Sequence, residues 1–338
     1  MSTDRHDTPP CAELHVHVEG TLEPDLIYAL AERNAVALPY RDIDDLRRRY
    51  EFEDLSSFLD LYYANMAVLQ TADDFADLAT AYFARAAAGG VRHVDLFFDP
   101  QAHLVRGVAL ATVVEGLGRA IDEAAERFDL TVGLIACFLR DRSPEEALAV
   151  LRDLLSMDAG IIGVGLDSAE RGNPPALFEE VFALAAANGL RRVAHAGEEG
   201  PAAYVAEALD VLGIERVDHG IRSIEDPRLL ARLAAEGVAL TVCPLSNVRL
   251  RAVATMADHP LPQLIAAGVR VTVNSDDPAY FGGYVDDNYR ALADVFGWGP
   301  AELAALARHS ATASFASPEG RQRLLDEIDE WERRAVGV

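Results

Sequence analysis

The stretch ELHVHVEGT (residues 13–21) has the spacing of a buried strand without the composition of one. A strand enclosed on both faces reads as a near-continuous run of Val, Ile and Leu. Here His15 and His17 alternate with Leu14, Val16 and Val18. Side chains of a strand alternate faces with a period of two, so both imidazoles project from one face, one pleat apart. Two imidazoles so placed can share one cation. Gly20 and Thr21 end the run.

Runs of this kind recur along the chain. They are AELHVH (12–17), VRHVDLFFD (91–99), LTVGLIACF (130–138), GIIGVGLD (160–167), LRRVAH (190–195), IERVDH (214–219), VALTVC (238–243) and VRVTVN (269–274). Helix signals lie between them. Ser143-Pro144-Glu145-Glu146 reads as a capping box with Pro at the first helical position. Asp226-Pro227 opens a helix that Gly237 ends, and Gly200-Pro201 opens another. Strands alternating with helices imply a parallel sheet. Eight units predict a (β/α)₈ barrel, with a doubly wound sheet as the fallback. The ionisable groups decide between them. His15, His17, Asp99, Arg140, Asp167, His195, His219, Asp276 and Asp277 all lie at or just past a strand's C-terminal end. A barrel gathers those ends at one mouth, where active sites sit; an open sheet spreads them along an edge.

Residues 18–90 separate the first two strands, far more than the ~10–12 a crossover requires. The excess predicts a helical insertion over the mouth, a lid. Within SSFLDLYYANMAVLQ (56–70), Phe58, Leu59, Tyr62 and Met66 either cover a flat apolar ligand or pack the insertion onto the barrel. LLDEIDEWERRAV (324–336) reads as an amphipathic closing helix. Without repeats or a low-complexity linker, residues 1–338 read as a single domain.

Composition narrows the partners. The formal charge of −25, from 30 Lys and Arg against 55 Asp and Glu, argues against nucleic acid and anionic membranes. No apolar run reaches the ~18 residues of a membrane span. The polar start MSTDRHDTPP lacks the apolar core of a secretory signal. Cys11, Cys137 and Cys243 are scattered and odd in number, so neither a disulfide framework nor a CxxC pair exists. The cytoplasm is the expected compartment. The sequence leaves a homo-oligomer open.

The chemistry concentrates in AHAGEEG (194–200) and VNSDDPAY (273–280). Strands one and eight are neighbours once a barrel closes. His15, His17, His195 and Asp276 then supply three imidazoles and a carboxylate, a set suited to one Zn²⁺ with a position left for water. Fe²⁺ and Co²⁺ suit it as well. Asp277 and His219 can orient that water and take its proton. Glu198, three residues past His195, can donate to a substrate if partly protonated. Taken alone it would read as a first-turn acid stabilised by the helix dipole.

HVHVEG, HAGEEG, DHGIRS (218–223), CPLSNV (243–248) and NSDDP (274–278) together resemble the adenosine/adenine deaminase family of metal-dependent hydrolases. The resemblance runs from strand one to strand eight. It implies a (β/α)₈ barrel that replaces a purine 6-amino group by oxygen and releases ammonia. Carried over by position, it implies zinc ligands His15, His17, His195 and Asp276. Glu198 would protonate N1, His219 assist the attacking hydroxide, and Asp277 bond hydroxide and N7. Adenosine deaminases usually read HxHxDG, with that Asp on the ribose, where this chain has Glu19. GLDSAERGNPP (165–175) has Glu170 where they carry a Gly that meets the purine. HVHVEGTLEPDL, the GLDS-E-GNPP pattern and FFDPQAH (97–103) resemble the adenine deaminase branch. The reading is therefore adenine as substrate. Glu19 and Glu170 take up ribose space, Glu170 accepts from N9–H, and Gly165, Asp167, Ser168 and Asp277 face the purine. Alternatives are a deaminase of adenosine or of a modified or N6-substituted adenine, an amide or ester hydrolase on the same metal barrel, and a non-catalytic purine-binding barrel. His6, His93, His103, His259 and His309 read as structural or exposed.

Overall fold

The structure, a computed structural model, describes residues 7–337. Eight parallel strands follow one another in sequence order: β1 (Cys11–His17), β2 (Val91–Phe98), β3 (Thr131–Leu139), β4 (Ile161–Asp167), β5 (Arg191–Ala196), β6 (Arg216–His219), β7 (Ala239–Val242) and β8 (Arg270–Val273). Helices connect them, making the barrel that the alternating runs predict. The β4–β5 junction is thin, with Gly163 opposite Arg191 and Val164 opposite Arg192. Closure falls between β1 and β8. There His17 N–H donates to Asp276 O, and Asp276 N–H donates to His15 O, each at 3.0 Å. Leu14 N–H donates to Asn274 Oδ1 at 2.8 Å. The seam that shuts the barrel is thus made of the residues that carry its chemistry.

Local signals behave as their chemistry dictates, with one exception. Asp226 accepts the N–H groups of Arg228 and Leu229, and Gly237 ends that helix at φ 68°. Ser143 accepts the Glu146 N–H, but the box is only half made, because Glu146 instead accepts from Arg142 Nε at 2.8 Å. Inside the barrel Phe97, Ile135, Cys137 and Val193 form a small apolar plug. A larger core lies around it, and the C-terminal helix (Pro318–Val336) buries Leu324, Ile328 and Trp331.

The insertion folds into α1 (Pro24–Arg33), α2 (Ile43–Arg47), α3 (Leu55–Asn65) and α4 (Ala72–Ala88). α3 stands against the mouth. Phe58 meets Phe281 at 4.6 Å and Tyr62 meets Tyr280 at 5.8 Å, centroid to centroid. Met66 does not join them at the cavity; it is buried in the core just past α3. Among the described residues no helix is long and apolar enough to cross a membrane.

Candidate metal centre and active site

Each of three histidines turns Nδ1 outward to a polar partner and Nε2 inward. His15 Nδ1 lies 3.2 Å from Thr241 O and 3.0 Å from Thr241 Oγ1, whose hydroxyl donates to Asp218 Oδ1 at 2.8 Å. His17 Nδ1 lies 3.6 Å from Asp167 Oδ2, and His195 Nδ1 lies 3.7 Å from Asp218 Oδ2. A proton on each Nδ1 faces an oxygen, which leaves a lone pair on each Nε2. Those lone pairs converge. His17 Nε2 and His195 Nε2 are 3.2 Å apart, and Asp276 Oδ1 lies 3.2 Å from His15 Nε2 and 3.6 Å from His17 Nε2. Lone pairs facing one another at such distances repel; a cation at their centre turns each repulsion into a bond. The expected ligands thus fit a divalent metal. The ligand atoms of His15, His195, His219 and Asp276 lie within 4.8 Å of one another, so His219 stands where the sequence expected His17, while those of His17 lie within 4.8 Å of Asp99 and Asp167. Ser246 Oγ–H steadies Asp276, donating to Oδ2 at 2.6 Å, and the Phe97 ring lies 5.2 Å from both the His15 and His17 rings.

The backbone is strained where it aims these groups. His219 (φ 59°), Asp276 (φ 66°) and Ser168 (φ 68°) sit in the left-handed region that L-residues rarely adopt. Gly20 has a different reason: a Cβ there would lie 1.9 Å from Asp277 Oδ1, so only glycine lets that carboxyl occupy its place. His219 Nε2 stands 3.5 Å from Glu198 Oε2 and 3.8 Å from Asp276 Oδ2. Burial, with help from Asp276, pushes both Glu198 and Asp277 well above the usual carboxyl range. Burial would raise Asp276 too, but His15, His219 and His17 hold it well below that range. Burial and the neighbouring imidazole of His15 push His219 down to about 3, so it is neutral. Asp276 is thus pushed in the opposite direction from its two neighbours, the separation that acid and base roles require.

A cavity opens above the centre. His17, His195, Glu198, His219, Asp276 and Asp277 line it with Asp99, Asp167 and Ser168, while α3 contributes Leu55, Phe58, Leu59, Tyr62 and Tyr63. Three expected substrate contacts are placed elsewhere. Glu170 is buried, and both its oxygens are taken: Oε1 accepts Gly197 N–H at 2.6 Å, and Oε2 accepts Glu198, Glu199 and Gly200 N–H at 3.1, 2.9 and 2.7 Å. All four bonds go to one loop, and Glu170 does not line the cavity, so it is not placed to meet N9–H. Glu170 instead clamps the loop that carries Glu198. Glu19 Oε1 accepts Asp99 N–H at 3.1 Å and pairs with His103 Nε2 at 2.7 Å, Oε2 is buried without a hydrogen-bond partner among the described residues, and Glu19 stands behind Asp99 and does not line the cavity. Gly165 faces the plug: a Cβ would meet Cys137 Sγ at 2.4 Å.

Residues outside the expected set also act here. Asp218 backs two histidines, His103 holds Glu19, and Arg140 Nη1–H donates to His195 O at 2.6 Å. Asp99 has the signal that marks Asp167, an acid closing an apolar strand. His93, His259 and His309 serve structure: His93 bonds Asp95, His259 reaches Asn247 Oδ1 at 3.3 Å, and His309 reaches Val271 O at 3.0 Å. His6 lies outside the described residues.

Comparison with known proteins agrees with this geometry. A curated relative from Streptomyces coelicolor, named adenine deaminase, is 61% identical over 322 residues, 95% of each chain. The crystal structure of adenine deaminase from Arthrobacter aurescens matches with a TM-score of 0.95 at 62% identity, over 96% of this chain and 99% of that one. An amidohydrolase from Burkholderia ambifaria, solved with bound zinc, matches at 0.89 and 26% identity over 100% of this chain and 96% of that one. The family model described as Adenosine deaminase spans residues 10–331, and with its histidines, acids and barrel seam in their places the chain belongs to the adenosine deaminase family.

Proposed function

We propose that the chain hydrolyses adenine to hypoxanthine and ammonia at one zinc ion held by His15, His17, His195 and Asp276. Fe²⁺ or Co²⁺ would suit the same donors. The observation that carries the reading is the convergence of Nε2 lone pairs and Asp276 Oδ1 beneath a cavity that also presents Glu198, His219 and Asp277. The names of its relatives support adenine as the substrate.

A divalent ion held by these residues would acidify a water molecule, toward a pKa of ~7. His219 Nε2 directs that water at C6 and takes its proton. Glu198 passes its own proton to N1 as the C6–O bond forms, which relieves charge on the ring. Asp277, held toward its protonated form, donates to N7 and fixes the plane of the base. When the C6–N bond breaks, the proton held by His219 leaves with the amine as ammonia, and the hydroxyl proton on C6 passes to Glu198, which restores that acid and leaves the carbonyl of hypoxanthine. Asp167 and Ser168 face the remaining edge. The cavity walls from α3 keep bulk water from the reacting atoms.

The test follows purine absorbance and ammonia together, for adenine and adenosine separately, with metal-loaded protein. Turnover of adenine with little of adenosine is the expected result. Preference for adenosine would overturn the substrate, and ammonia from neither would overturn the reading.

A further inference from the structure

With Glu170 clamping a loop and Glu19 behind Asp99, neither of them lining the cavity, selectivity for a free base needs another source. On the adenine reading, N1 faces Glu198 beyond β5 and N7 faces Asp277 beyond β8. The opposite edge of the purine, carrying N3 and N9, then turns toward the arc of the mouth built by β2 and β4. Asp99 and Asp167 close those strands there, with Tyr62 of α3 beside them. Asp99, Asp167 and Tyr62 are each 2% exposed. Asp99 Oδ1, both Asp167 oxygens and the Tyr62 hydroxyl receive no N–H or O–H at hydrogen-bond distance among the described residues; the two acids face only each other and His17 Nδ1, at 3.8 and 3.6 Å. Buried polar atoms are rarely left so, because each loses its water without recompense. Asp99 is also fixed from behind, through its N–H on Glu19.

We propose that Asp99, backed by Asp167, accepts the N9–H of a free purine base, while the Tyr62 hydroxyl donates to N3. The inference rests on the adenine reading. A carboxyl oxygen at this edge requires a donor on the ligand, and N9–H is the ring's donor there. A purine substituted at N9 has no such hydrogen and sets a carbon against the carboxylate. Sites built around a buried hydrogen bond reject analogues that lack it far more strongly than apolar pockets reject a methyl group. The competing use of the same atoms is a second cation on His17, Asp99 and Asp167, whose ligand atoms lie within 4.8 Å of one another.

A cycle of one substitution against one methyl group tests this. Adenine and 9-methyladenine are compared on wild type and Asp99→Ala, as turnover or, below detection, as competitive inhibition, with metal content measured on both proteins. Wild type should favour adenine by about 100-fold or more. Asp99→Ala should lose most of that preference through adenine alone, with 9-methyladenine changed less than about threefold and one metal per chain in both proteins. Tyr62→Phe should weaken both ligands alike, since both carry N3. If Asp99→Ala does not fold, Asp99→Asn runs the same cycle with a smaller expected loss. Equal losses on both ligands, with wild type still releasing ammonia from adenine, would overturn the subsite and leave the adenine reading standing. A second metal in wild type that the variant lacks would also overturn the subsite. No ammonia from adenine with wild type would overturn the reading and the subsite with it.

Discussion

Asp95 on β2 and Asp167 on β4 are equally hidden from solvent and are handled in opposite ways. Toward the N-terminal end of the barrel, Asp95 accepts from Arg216 Nη1 at 2.6 Å and pairs with His93 Nε2 at 2.9 Å. Arg216 also donates to Leu14 O at 3.1 Å. At the C-terminal mouth, neither oxygen of Asp167 receives an N–H or O–H at hydrogen-bond distance among the described residues. Burial opposes the charge of both. Arg216 and His93 nevertheless hold Asp95 below the usual carboxylate range, while burial and Asp99 push Asp167 well above it. Asp95 meets a guanidinium and a histidine inside the barrel, whereas Asp167 faces the cavity with no cation bonded to it. The same division separates stability from function in barrels generally.

The largest effect should come from breaking the satisfied end. Asp95→Ala strands the buried guanidinium of Arg216 and should cost about 3–5 kcal/mol of stability, read as a fall in Tm or denaturant midpoint. Turnover by the folded fraction should stay near wild type. Because Asp95 is depressed in the fold, its stabilisation is full above the unfolded value of ~3.9 and is lost as pH falls through and below it. Asp167→Ala should cost far less stability. Equal losses at the two positions would break the comparison.

A smaller effect sharpens it. Glu170 is a satisfied carboxylate at the unsatisfied end, and what it satisfies is the loop bearing Glu198. Glu170→Gln replaces an acceptor-only group by one that offers a single acceptor oxygen, so some of four N–H bonds must be lost. The expected result is a fall in kcat of roughly tenfold to 100-fold from misplacement of Glu198, with metal retained and the adenine-to-adenosine ratio unchanged. A shift in that ratio would return Glu170 to the substrate.

Much of this was legible in the sequence because it is local. Alternation within ELHVHVEGT puts two imidazoles on one face, and acids at the ends of apolar runs mark the mouth. The boundaries of all eight strands lie within two residues of the runs that predict them. Roles that depend on partners from distant strands were not legible. Glu170 stands 27 to 30 residues before the N–H groups it accepts. Glu19 meets a histidine 84 residues away. Nothing in spacing shows that Glu170 is bonded to a distant loop or that Glu19 sits behind Asp99, so both read as substrate contacts. Gly20 reads as the end of a strand, and only the position of the Asp277 carboxyl shows why no other residue fits there.

The most direct measurement is metal content and adenine turnover of Glu198→Gln, with the pH profile of kcat/KM for wild type beside it. Glu198 is held above its ordinary pKa by burial and by Asp276, so its active protonated form persists below that raised value and is lost as pH rises through it. The account predicts a variant with its full metal complement, turnover down by about 10²–10⁴-fold, and no loss of residual rate at high pH assignable to this group. A variant that loses its metal, or one that keeps wild-type turnover and the same decline at high pH, would contradict it.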